Sequence, residues 1–114
     1  MAIQADPFQD IQSRISGQIG ALAEALPHIA LPHIALAQIV QGVDDIRCLA
    51  RDHGFGAVET LASRLESAVA GGGYRAAILT YLDAMSDAVA APRGPLPSGA
   101  QEAWLASVAM RLGH

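Results

Sequence analysis

Apolar residues recur at every third or fourth position through most of this sequence, and prolines and glycines interrupt the pattern at a few places. The spacing is clearest over residues 55–69, where Gly71-Gly72-Gly73 follows and ends it. Such spacing lines apolar side chains along one side of an α-helix. Interruptions at Pro27, Gly54, the three glycines and Pro92 leave five such segments. We therefore predict an all-α protein of five helices without a β-sheet.

The order of these segments predicts the fold class. The first helix starts at Asp6-Pro7, a cap followed by a proline tolerated in the first turn, and stops at Pro27. The short three-glycine connection favours an antiparallel pairing of the third and fourth helices. We expect an up-and-down four-helix bundle core with an additional terminal helix. One core suits 114 residues, so we predict a single domain over 1–114 with a proline-rich linker at 92–97.

The last helix is predicted to begin with a capping box formed by Ser98 and Gln101. Its apolar residues fall mainly on one side, which either packs on the bundle or meets a partner. The residues of that side are Trp104, Val108 and Leu112, and Leu105 and Met110 widen it.

Charge and composition exclude several classes of function. All seven basic residues are arginines, and eleven acidic residues leave a formal charge of −4, which disfavours nucleic-acid binding. No charged residue lies between Glu24 and Asp44, but the prolines, histidines and glutamines of that stretch are unsuited to lipid. We expect no membrane span. Residues 1–6 lack the basic start and apolar core of a secretion signal, so we expect a cytoplasmic protein.

Residues that could hold a metal or perform nucleophilic chemistry are poorly spaced. His28 and His33 are five residues apart, as are Cys48 and His53, and neither spacing is that of a metal motif. We expect no metal and no cofactor. Cys48 is interpreted as a small apolar residue of the core.

The acidic residues of the second and fourth helices are spaced like solvent-facing positions. They are Asp44 and Asp45, then Asp83 and Asp87. The second pair shares one helical surface as like charges, which is mildly unfavourable. We interpret all four as solvated side chains.

The third and fourth segments carry a further pattern, in which a glycine-alanine turn leads into paired leucines and then a glycine-containing turn. The residues are His53-Gly-Phe-Gly-Ala57, Val58-Glu-Thr-Leu61-Ala62-Ser-Arg-Leu65-Glu66, Ala68-Val-Ala-Gly71-Gly-Gly and the amphipathic stretch 74–90. This part of the chain resembles the histidine phosphotransfer domain, a helical-bundle module of bacterial two-component phosphorelays. The resemblance implies a signalling role and, as a partner, a histidine kinase or a response-regulator receiver domain.

The chain departs from that family at its diagnostic element, a histidine followed three residues later by lysine and then glycine. The family's spacing places these residues at Ile46, Leu49 and Ala50, and the chain contains no lysine. We therefore expect a non-enzymatic interaction module that binds its partner through a surface of the first two helices, without carrying phosphate.

Two alternatives remain open. One is an active phosphorelay protein that uses a displaced phosphoacceptor histidine, for which His53 and His33 are the candidates. His53 is the better candidate, because it lies near the junction of the second and third helices, where we expect it to be exposed. The other is a structural homo-oligomer, such as a homodimer, with Leu105 and Met110 in a symmetric interface.

Overall fold

The computed structural model describes residues 7–26, 33–70, 75–91, 94 and 97–112, and side chains over 10–26, 37–70, 76–91, 94, 97 and 99–112. Within these residues the chain is all-α, as predicted, and has no β-strand. The five helices are α1 (Pro7–Ala25), α2 (His33–His53), α3 (Gly56–Ala70), α4 (Arg75–Ala88) and α5 (Ser98–Arg111). The predicted glycine turn at 71–73, His28 and most of the 92–97 linker lie outside the described residues.

Helix ends follow the sequence signals in two places and depart from them in one. α1 ends at Ala25, before Pro27, and α2 is followed by Gly54, whose φ of 80° suits a residue without a side chain. The predicted N-cap of α5 was wrong, because Pro97 occupies the N-cap position in place of Ser98. The side chain of Ser98 lies outside the described residues.

The first four helices form a closed ring. α1 packs against α2 and α4, and α3 also packs against α2 and α4. α5 lies outside the ring, against α3 and α4. One hydrophobic cluster joins all five helices, so the ring and α5 share a core.

The core contains the apolar side chains that the helical spacing predicted, together with alanines that it did not. In α2, α3 and α4 the fully buried predicted residues are Ile39, Val43, Ile46, Ala50, Val58, Leu61, Ala62, Leu65, Ile78, Leu82 and Met85. Ala57, Ala84 and Ala88 are buried as well. Alanine occurs on every side of these helices, so its spacing does not reveal which alanines face the core.

α5 contributes less to the core than its predicted apolar side suggested. Val108 is 1% exposed, whereas Trp104, Leu105 and Leu112 are only partly buried against the core. Met110 is 75% exposed, so its predicted place on the buried side was wrong. Two residues advance an α-helix by about 200°, which turns Met110 away when Val108 points inward.

Gly42 on α2 faces the side chain of Leu22 on α1. A glycine inside a helix normally destabilises that helix slightly. In the structure, a Cβ atom added at Gly42 would lie 2.8 Å from Cδ2 of Leu22 and 3.2 Å from its Cδ1. The missing side chain therefore makes room for Leu22 at the seam between α1 and α2.

Candidate interaction surface

The positions that the family resemblance assigns to the phosphoacceptor motif lie in the core. Ile46 and Ala50 are 0% exposed, and Leu49 is partly buried against the core. Aliphatic side chains offer no nucleophile, and a group at Ile46 has no access to the γ-phosphate or aspartyl phosphate of a partner. These three side chains pack in or against the core and offer no phosphoacceptor.

The two candidate histidines lie at opposite ends of α2. His33 is the first residue of the helix and His53 the last, so a rise of 1.5 Å per residue separates their backbones by about 30 Å. His53 is half-buried rather than exposed as predicted, and it has interactions within the protein. The side chain of His33 lies outside the described residues. The structure therefore does not bring the two histidines into one site.

The turn after His53 is fixed by backbone hydrogen bonds. The N–H of Phe55 donates to the Ala50 carbonyl at 2.8 Å, and the N–H of Gly94 donates to the Gly54 carbonyl at 2.7 Å. Phe55 and Gly94 form an isolated parallel bridge, and the Phe55 side chain is buried. Gly94, which precedes α5, therefore pairs with the α2–α3 turn, and local sequence patterns do not reveal this pairing.

A polar groove runs from this turn along α3 and α5. Its first part has a volume of about 340 Å³. The second part, nearer the middle of α3, has a volume of about 440 Å³ and shares three lining residues with the first. The shared residues are Glu59, Thr60 and Gln101. Arg51 lines the first part and Arg64 the second, so charges of both signs border the groove.

An arginine links α2 to α3 through two carboxylates. Arg47 donates from Nε to Glu66 Oε1 at 3.2 Å and from Nη2 to Asp44. The hydrogen bond from Arg47 lowers the pKa of Asp44 below its usual value. The hydrogen bonds to Asp44 and Glu66 raise the pKa of Arg47. Asp44 is thus an ion-pair partner at the surface.

Asp45, the neighbour of Asp44, also has a partner. Its Oδ1 accepts a hydrogen bond of 2.9 Å from Nε2 of Gln41, one turn earlier on α2. Both aspartates lie at the surface, as predicted, and each also accepts a hydrogen bond from a residue three or four positions away on the same helix.

A second arginine joins α5 to α4. Arg111 donates from Nη1 to Asp83 and from Nη2 to Asp87, both at 3.0 Å. The two aspartates share a helical surface as predicted, but a cation from another helix lies between them. The sequence could not indicate this contact, since Arg111 is 28 and 24 residues away from its partners.

The remaining sites predicted from sequence show little chemical specialisation. Cys48 is a free thiol and half-buried, so it belongs to the edge of the core rather than its centre. In the part of the chain that the structure describes, no group of three or more metal-ligating side chains could hold an ion. None of the described helices combines the length and apolar character needed to cross a bilayer.

The chain matches no protein-family model, no curated protein and no solved structure. The residues and their arrangement in the fold are therefore the basis for assigning a function. They offer surfaces between helices for binding, and the position of the expected phosphoacceptor is closed.

Proposed function

We propose that this chain is a non-enzymatic interaction module that resembles a histidine phosphotransfer domain and binds a histidine kinase or a receiver domain without carrying phosphate. In this proposal α1–α4 are the up-and-down four-helix bundle core, and α5 is the additional terminal helix. The burial of Ile46 is the observation that supports it most strongly. Phosphoryl transfer needs an accessible nucleophile, and the buried aliphatic side chain of Ile46 does not provide one.

A cleft between α1 and α2 supports the choice of docking surface. It has a volume of about 230 Å³, and its apolar walls include Ala21, Leu22 and Gly42. Gln18 and Asp45 add polar atoms to the lining. The Oε1 atom of Gln18 is buried and accepts no hydrogen bond within the described part of the chain. Solvent cannot reach this atom, so the apolar walls of the cleft, rather than Gln18, support docking of a second protein here.

The proposal is tested by incubating the protein with a panel of autophosphorylating histidine kinases and measuring its intact mass under alkaline conditions. We expect no mass gain with any kinase. A gain of one phosphoryl group that disappears in the His53→Gln or His33→Gln variant would instead establish an active phosphorelay protein.

Binding is measured separately, by pull-down with the same kinases and with receiver domains. We expect Ala21→Arg, at the cleft on α1, to abolish capture. Ala106→Arg is the matched control, because it makes the same change at another exposed alanine, on α5. Capture that both variants retain, or both lose, would contradict the assignment of this surface.

A structural homo-oligomer is the second candidate, and the exposure of Met110 favours it. Leu105, the other residue of the predicted symmetric interface, packs against the core of its own chain. The mass of the protein in solution distinguishes this candidate, which requires a dimer or a larger assembly.

A further inference from the structure

α5 is held to the protein more lightly than the helices of the ring. Val108 is the one described side chain of α5 that is fully buried, whereas α3 buries six residues. α5 lies outside the ring against α3 and α4, where Trp104, Leu105 and Leu112 are only partly buried against the core. Because burial supplies most of the free energy that holds helices together, the attachment of α5 depends more on its other contacts.

One of those contacts is the clamp that Arg111 forms on Asp83 and Asp87. Without Arg111, the two carboxylates repel each other across one turn of α4. The side chains are 33% exposed for Arg111, 72% for Asp83 and 57% for Asp87. Ion pairs this exposed are weak singly and are screened by salt. The clamp is therefore easily opened.

The other end of α5 is anchored differently. Four residues before Ser98, Gly94 donates its backbone hydrogen bond to Gly54 and bridges to the buried Phe55. This contact contains no charged group, so salt or loss of Arg111 leaves it in place. When the clamp opens, the C-terminal end of α5 is freed while the chain before α5 stays attached.

We propose that α5 is a strap that opens at its C-terminal end and uncovers, on α3 and α4, a docking surface for an amphipathic helix of a partner protein. The occupant carries a basic residue three positions after a small apolar one, as Val108 and Arg111 do in α5. Charge complementarity supports this choice, because Asp83 and Asp87 stay on α4 when Arg111 leaves. This inference goes beyond the proposed function, since it does not depend on a kinase or receiver domain.

Opening of the strap is measured by amide hydrogen exchange of the full chain. In Arg111→Gln we expect exchange over 98–112 to be roughly threefold to tenfold faster, with exchange over 56–70 unchanged. Wild-type protein in about 1 M sodium chloride, where the screening length is about 3 Å, should behave like the variant. Arg14→Gln is the control, because Arg14 is exposed on α1 and forms no ion pair within the described part of the chain.

Docking is measured with a fluorescein-labelled synthetic peptide of the sequence of α5, Ser98–Arg111, by anisotropy. We expect Arg111→Gln protein to bind this peptide roughly threefold to tenfold more tightly than wild type, because its own α5 competes less. Protein with Asp83→Asn and Asp87→Asn should also open its strap but bind the peptide more weakly than Arg111→Gln does. A peptide with glutamine in place of its arginine should bind these two variant proteins equally tightly.

Two results would overturn the inference. One is equal exchange over 98–112 in Arg111→Gln and wild type, which would show that the clamp does not hold α5. The other is faster exchange without peptide binding to any variant, which would show that the uncovered surface is not a docking site. Neither result depends on whether the chain binds kinases, so this inference and the proposed function fail separately.

Discussion

The α2–α3 seam and the α4–α5 seam are each spanned by one arginine that contacts two carboxylates. Arg47 joins Asp44, on its own helix, to Glu66 on α3, and Arg111 crosses from α5 to both of its partners on α4. At the first seam the two carboxylate side chains are 39% and 24% exposed, and at the second they are 72% and 57% exposed. The same charge arrangement therefore lies in two different environments.

The seams differ more in what lies beneath the arginines. Under Arg47, α2 and α3 bury large side chains such as Ile46, Leu61 and Leu65, all 0% exposed. On α5 the corresponding buried residue is Val108 alone. Arg47 thus adds ion pairs to two helices that already pack through large buried side chains. Arg111 adds ion pairs to a helix that buries little of its own surface.

The largest effect is expected from shortening buried side chains on the two sides of this comparison. Leu61→Ala should lower the free energy of unfolding by about 3 kcal/mol, because it leaves a cavity in the ring. Val108→Ala should cost roughly 2 kcal/mol or less and should act mainly on α5. Hydrogen exchange after each substitution checks this. If Val108→Ala accelerated exchange in α3 as strongly as in α5, the two seams would be one cooperative unit.

A smaller effect on the free energy of unfolding is expected when the pH is lowered, through Asp44 at the α2–α3 seam. The hydrogen bond from Arg47 lowers the pKa of the folded carboxyl below 3.8, so near that pH the unfolded chain binds more protons than the folded one. This contribution to stability is complete above pH 3.8 and is lost as the pH falls through the folded-state pKa.

Urea unfolding between neutral pH and the acid range checks this sign. Asp44→Asn should make the loss of stability in acid less steep, and Arg47→Gln should do the same because it removes the donor. If the two substitutions changed the acid dependence additively, they would not be acting through one hydrogen bond.

The smallest effect is expected from Met110→Gln on the outer side of α5. Since Met110 is 75% exposed, the substitution should change the free energy of unfolding of the protein by less than about 0.5 kcal/mol. Urea unfolding at two protein concentrations checks this. A large loss of stability that depends on protein concentration would show that Met110 is buried between copies of the chain, as the homo-oligomer candidate requires.

Helical spacing was sufficient to predict the five helices and most of the large core residues. Leu61 and Leu65 lie on one side of a helix that ends at glycines, and this information is local. Helical spacing failed for Met110, because in α5 apolar residues extend around the helix and their spacing does not mark one side. Helical spacing also gave no reason for Gly42, whose missing side chain leaves room for Leu22 in another helix.

The contacts around the candidate surfaces were also harder to predict, because most of them join residues of different helices. Arg111 with Asp83, and Gly54 with Gly94, join residues that are far apart in the sequence. The resemblance to histidine phosphotransfer domains drew attention to Ile46, which helical spacing already placed on the apolar side of α2 and which is buried. The pairings of Asp44 with Arg47 and of Asp45 with Gln41 were within reach, since residues three or four positions apart meet on a helix.

The bridge between Phe55 and Gly94 also has a consequence for the order of folding. It closes a loop that contains all of α3 and α4, and closing a long unstructured loop is entropically costly. Once α3 and α4 have packed against each other, the ends of that loop are already close. We therefore expect the helix pair to form early and the bridge to form after it, so that α5 is the last helix to reach its place.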